Sequence, residues 1–64
     1  MKRMVVLINS KFKQDIENYL VMNRVQYSMY TDIYTGDVRL SVPHSKGVRL
    51  ISELRRSSVP YDII

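Results

Sequence analysis

Apolar residues run without interruption from Met4 through Val5, Val6 and Leu7 to Ile8 and stop at Asn9. A central strand with both faces at least partly covered has this pattern. Beyond Asn9 the period changes. Phe12, Ile16, Tyr19, Leu20 and Asn23 follow at i, i+4, i+7, i+8 and i+11, which sets the apolar members on one helical stripe. The spacing predicts a helix over residues 11–23, with Asn9 or Ser10 accepting from the unpaired N–H groups of its first turn. From Val25 the period is two: Tyr27, Met29, Thr31 and Ile33 alternate with Gln26, Ser28, Tyr30, Asp32 and Tyr34, residue types that suit a pleated surface. Thr35-Gly36-Asp37 reads as a short turn, and Val38, Leu40 and Val42 then alternate with Arg39 and Ser41, so the two strands form a hairpin that Pro43 ends. Ser45 is placed to cap a second helix with Val48, Ile51 and Leu54 inward and Lys46, Arg49, Glu53, Arg55 and Arg56 toward water, its first turn weakened by Gly47. Ser57-Ser58 leads into a last strand, Val59 to Ile64, which Pro60 confines to a sheet edge.

The order strand, helix, strand, strand, helix, strand contains a repeat. A shift of 34 positions superposes Met4, Val6 and Ile8 on Val38, Leu40 and Val42, Leu20 on Leu54, Val25 on Val59 and Tyr27 on Tyr61. Two copies of one βαβ plan predict an α+β, ferredoxin-like βαββαβ fold: a four-stranded antiparallel sheet with two helices on one face, strands one and three central, strands two and four at the edges.

Composition is compatible with such a fold. The 64 residues make a single domain, and a chain of this size buries about 60% of its unfolded surface. Hydrophobic residues amount to 45% and are spread throughout, which argues against disorder. Cysteine is absent, so neither disulfides nor thiolate metal sites hold the core, and a soluble, cytoplasmic protein is expected. Met1-Lys2-Arg3 before the apolar run is reminiscent of a signal peptide, but the run is too short for a signal core or a membrane span.

Asp37-Val38-Arg39-Leu40-Ser41-Val42-Pro43, followed by Ser45, Val48, Ile51, Leu54, Val59, Tyr61, Ile63 and Ile64, resembles the second half of the activation (propeptide) domain of metallocarboxypeptidases. In that family a strand ending in Val-Pro leads to a helix and then to a short edge strand of Tyr-x-Ile type. The resemblance covers residues 37–64, and Gln26 to Tyr34 stand where the family has an aromatic-containing second strand. It implies a propeptide-like fold and a role in covering another protein's surface.

Catalytic chemistry finds little support. His44 is the single histidine, with no cysteine beside it, and carboxylates at Asp32, Asp37 and Glu53 have no metal-ligand spacing. Ser10, Ser41 and Ser45 lack a base and its orienting partner, and Gly36 and Gly47 make no phosphate-binding loop. The expectation is a non-enzyme without cofactor or metal, in which His44 is polar surface.

Two binding surfaces are then in contention. The net charge of +4 arises from cations scattered over both halves, and Arg39, Arg49, Arg55 and Arg56 are the candidates for contact with nucleic acid. If Met4, Val6, Ile8, Val38, Leu40 and Val42 face the helices, the opposite side of the central strands shows Val5, Leu7, Arg39 and Ser41. It carries no aromatic ring on which RNA bases stack, although Tyr30 and Tyr34 lie on the neighbouring strand. Val5, Leu7, Tyr30, Arg39, Ser41 and Ile64 are therefore the candidate contact residues for another protein or a second copy. The bland alternative is that loops shield Val5 and Leu7. The edges formed by strands two and four are a further docking surface.

Overall fold

A computed structural model describes residues 2–64. The elements are β1 (Arg3–Asn9), a 3₁₀ turn (Ser10–Phe12), α1 (Lys13–Met22), β2 (Ser28–Thr31), β3 (Asp37–Pro43), α2 (His44–Arg56) and β4 (Tyr61–Ile63). All strand pairs are antiparallel, in the order β2-β3-β1-β4, so the fold is α+β and ferredoxin-like. No helix among the described residues is long and apolar enough to cross a membrane.

Alternation along the central strands supplies the core. Val6 and Ile8 on β1 and Val38, Leu40 and Val42 on β3 are buried on one face, where Ile16 and Leu20 of α1 and Leu50 and Leu54 of α2 join them. Met4, Phe12, Tyr19, Met29 and Tyr61 close its margin. Both helices therefore lie on one side of the sheet, as the amphipathic stripes predict.

The 34-residue repeat is written into the backbone. Val6 pairs with Leu40, its own counterpart, and the β1–β3 register is symmetric about that pair, from Arg3↔Pro43 to Asn9↔Asp37. The N–H of Ser10 donates to the Gly36 carbonyl at 3.0 Å, and in the other half the N–H of His44 donates to the Lys2 carbonyl at 3.1 Å. The helix exits repeat as well: Asn23 to Tyr19 and Ser57 to Glu53 are both 3.0 Å, Arg24 to Val21 and Ser58 to Arg55 both 3.1 Å, and Val25 to Leu20 and Val59 to Leu54 both 2.9 Å. Each exit passes through a left-handed residue, Arg24 with φ 54° and Ser58 with φ 58°. Glycine or asparagine usually takes that position because a Cβ crowds the following carbonyl.

Several boundaries differ from the sequence expectation, each for a physical reason. Asn9 does cap, its Oδ1 accepting from Lys11 N–H at 3.0 Å, but the first turn it caps is 3₁₀ rather than α. β2 is short, Ser28–Thr31, because Asp32 turns the chain: its Oδ1 accepts from Tyr34 N–H at 2.9 Å and Thr35 N–H at 3.3 Å, and Gly36 completes the bend with φ 75°. Ile33 and Tyr34, expected in the strand, project from that turn at 84% and 92% exposure.

In α2, Ser45 does not cap. The helix begins at His44 behind Pro43, without a side-chain cap. Its buried stripe is Gly47, Leu50 and Leu54, with Ile51 beside it, while Val48 is 58% exposed. Val48 lies about 100° round the helix from Gly47, which turns it off the stripe. Gly47 packs directly on Met4, where a Cβ would meet Met4 Cβ at 3.0 Å and its Sδ at 2.5 Å. The glycine that weakens the turn is the one that admits Met4.

The paired left-handed exits make a paired prediction. Arg24→Gly and Ser58→Gly each remove roughly 1–2 kcal/mol of Cβ crowding but increase unfolded-chain entropy by about 0.5–1 kcal/mol. Each should therefore raise stability by about 0.5–1 kcal/mol in urea unfolding, with additive effects, since the sites lie at separate helix ends. A second prediction concerns pH. Half-buried Tyr27 donates its hydroxyl to Glu17 Oε2 at 3.1 Å; burial first, and Glu17 as acceptor and negative charge next, push the phenol above its ordinary value of 10.0. The folded chain thus holds this proton longer than the unfolded one, so the contribution is full below pH 10 and is lost as pH rises through the raised value. Tyr27→Phe should lessen the alkaline fall in the urea midpoint above pH 10 and leave the neutral-pH slope unaltered.

Candidate functional site: the uncovered sheet face

Because both helices pack on one side, the other side of the sheet has no element over it. Residues directly opposite each other on antiparallel strands share a face, so the registers place side chains in rows. Tyr30 lies opposite Arg39, Arg39 opposite Leu7, and Leu7 opposite Asp62. The adjacent row runs Ser28, Ser41, Val5 and Ile64, with Ile64 N–H donating to the Val5 carbonyl at 2.9 Å. Val5, Leu7, Tyr30, Arg39, Ser41 and Ile64 are thus brought together on one face.

Val5 and Leu7 are half-buried, Leu7 sharing a small hollow with Asp32 and Thr35 of the β2–β3 turn, whereas Tyr30 and Ile64 are each 65% exposed. A shallow hollow of about 180 Å³ lies among Val5, Ser28, Met29, Tyr30, Arg39 and Ser41. At one end Arg3 reaches across from β1, its Nε donating to Ser41 Oγ at 2.8 Å and its Nη2 to the Ser41 carbonyl at 3.0 Å.

The internal symmetry that holds in the core is broken here. Inward positions are apolar in both halves, but outward Val5 and Leu7 on β1 have Arg39 and Ser41 as their counterparts on β3, and Ser28 on β2 has Asp62 on β4. The middle of the face is therefore apolar on β1 and polar on β3. Sequence reasoning overlooked Asp62, Asp37, Ser28 and Arg3 on this face. Extending the 34-residue shift to the outward positions would have located Asp62, because it superposes on Ser28. Charge on the face is balanced, with Arg3 and Arg39 against Asp37 and Asp62. The single ion pair among the described residues lies elsewhere, between Arg56 and Glu53 at 2.6 Å.

The four-arginine surface does not form. Arg39 is on the open face, while Arg49, Arg55 and Arg56 are on α2, on the opposite side of the sheet. Arg55 Nε is engaged by Tyr61 Oη at 2.8 Å and Arg56 by Glu53. Cations gather instead at one end of the sheet, where Lys2, Arg24 and Lys46 line, together with His44, a hollow of about 560 Å³ that has no carboxylate in its wall. His44 is exposed there, and no group of three or more His, Cys, Asp or Glu among the described residues is arranged to hold a metal ion.

Protein-family models, curated proteins and solved structures give no match to this chain.

The two faces differ in their part in stability, and paired truncations measure the difference. Leu40 is fully buried under both helices, so Leu40→Ala should cost about 2–5 kcal/mol in urea unfolding. Leu7→Ala, at a half-buried position with no helix above it, should cost about 1 kcal/mol or less. Equal costs would mean that Leu7 is a core residue and not part of a contact surface.

Proposed function

We propose that this chain is a non-enzymatic protein-binding module that docks its partner on the uncovered face of the sheet. The observation that carries the reading is the convergence of Val5, Leu7, Tyr30 and Ile64 with Arg39 and Ser41 on a face with no covering element. An apolar centre with an aromatic side chain and an arginine at its margin is the composition that protein interfaces favour. Balanced charge favours protein over nucleic acid as the occupant of this face, since phosphate binding draws on an excess of cations. The likeness of residues 37–64 to carboxypeptidase activation domains supports the same role, a small domain that covers and regulates another protein's surface.

A second reading, contact with nucleic acid, is favoured by one observation: the carboxylate-free hollow beside Lys2, Arg24 and Lys46 at the end of the sheet. On this reading the positive net charge acts through that end and not through Arg39.

Both readings are tested by capture on the tagged protein from native lysate, with and without nuclease. A protein band that survives nuclease, is lost with Leu7→Asp and persists with the helix-face control Val48→Asp supports the open-face module. Circular dichroism of both variants should remain native. A Leu7→Asp variant that keeps every association sinks the reading. If nuclease releases all bound material, Lys2→Gln with Arg24→Gln and Lys46→Gln should lower the salt slope of nucleic-acid binding by about 2–3, and an unchanged slope removes the second reading.

A further inference from the structure

We propose that the cationic hollow at the end of the sheet is a binding site for the phosphate monoester of a small organic molecule, such as a mononucleotide. The site is separate from the open face. It occupies the hollow of the nucleic-acid reading, with a single terminal phosphate in place of a strand.

Size and charge are the basis. At about 560 Å³ the hollow lies in the range of small-molecule sites. Three cations meet on it from distant parts of the chain: Lys2 ahead of β1, Arg24 at the exit of α1 and Lys46 in the first turn of α2. A phosphate monoester carries about −1.5 to −2 charge at neutral pH. None of the three cations takes part in an ion pair among the described residues, and no carboxylate lines the wall, so such an anion displaces no internal partner. Their backbones are fixed. The Lys2 carbonyl accepts from His44 N–H at 3.1 Å, which ties the start of β1 to the start of α2, and Arg24 N–H donates to the Val21 carbonyl at 3.1 Å. The N–H groups of Ser45 and Lys46 precede the first i→i−4 bond of α2, with no side-chain cap and no acidic residue in that turn. They add directional donors to the three charges.

Val25 and Pro43, both half-buried, contribute apolar wall. Apolar surface beside the charges favours a phosphate that carries an organic group over an inorganic ion. A strand of nucleic acid draws on cations spaced along a path. Here they converge on one hollow, while Arg39 lies on the open face and Arg56 is engaged by Glu53. Under the 34-residue shift Lys2, Arg24 and Lys46 correspond to Gly36, Ser58 and Phe12, so the equivalent corner of the other half lacks all three charges.

Lys2, Arg24 and Lys46 are exposed, so a Kd on the order of 1 mM is expected. Amide chemical-shift titration of the full chain with adenosine monophosphate, at about 0.05 M salt, reads that range. Saturable shifts should appear at residues 24–26 and 44–46. Adenosine and inorganic phosphate should each bind about fivefold more weakly or worse. Arg24→Gln with Lys46→Gln should raise the Kd about fivefold or more, whereas Lys11→Gln with Lys13→Gln, an equal loss of charge at the other end of the sheet, should stay within about twofold. The amide spectrum itself reports whether each variant is folded. The proposal is overturned by the absence of saturable shifts up to about 20 mM, by adenosine or inorganic phosphate binding as tightly as the monophosphate, or by an unaltered Kd in the Arg24 and Lys46 variant. An oligothymidylate with free hydroxyls at both ends that shifts the same amides at lower concentration also overturns it and gives the hollow to a strand. If that oligonucleotide leaves the amides unmoved while the mononucleotide binds, the phosphate site stands and the nucleic-acid reading falls.

Discussion

The antiparallel pairing of β1 with β3 is the constraint on which the rest of the molecule depends. Val6 opposite Leu40 marks the pseudo-two-fold axis, and on either side of it every second residue points at the helices. Five side chains of these two strands make the floor of the core. Because the strand period is two, that commitment also decides which residues are left on the other side. A one-residue slip of either strand would turn its entire apolar set away from the helices, so the core enforces the composition of the open face without contacting it.

The two halves follow one plan where backbone geometry or burial demands it and differ elsewhere. The strand entries, the helix exits and the left-handed residues at Arg24 and Ser58 repeat with hydrogen bonds of matching length. The outward positions do not repeat, since Val5 and Leu7 answer to Arg39 and Ser41, and neither does the residue before each central strand, Lys2 against Gly36. Both surfaces proposed to bind lie where the symmetry fails. The cationic hollow lies at one end of the sheet, lined by Lys2 and Arg24 of the first half and Lys46 of the second, and the open face is apolar on one central strand and polar on the other. A core of 64 residues has few ways to change without loss of stability, so the surface positions are where the halves are free to differ.

The fold was largely legible in the chain because alternation, helical stripes and the 34-residue shift agree with one another. Two of the misreadings came from side chains. Asp32 ends β2 through its own hydrogen bonds, a turn chemistry that the alternation of Ile33 and Tyr34 conceals. Val48 was assigned inward from the i, i+3, i+6 spacing of Val48, Ile51 and Leu54, which spreads over about 120° of the helix, whereas Gly47, Leu50 and Leu54 span about 60°; the tighter stripe went unread because its first member is a glycine, which packs against Met4. Of the candidate site, the six residues on the open face follow from strand period alone, whereas the four arginines do not share a surface, because Arg39 and α2 lie on opposite sides of the sheet.

Sequence by itself determined the order of elements, the inward set on each central strand and the repeat that relates the halves, since each is a matter of periodicity within short segments. Tertiary structure alone decided that Gly47 and not Val48 meets Met4, and which side chains from distant parts of the chain become neighbours. Asp62 stands beside Leu7, and Lys2 and Arg24 beside Lys46, through strand register and helix packing between residues far apart in the chain. Local period carries no information about such pairings. The angular origin of a helix is likewise set by what it packs against, here Met4 beneath Gly47.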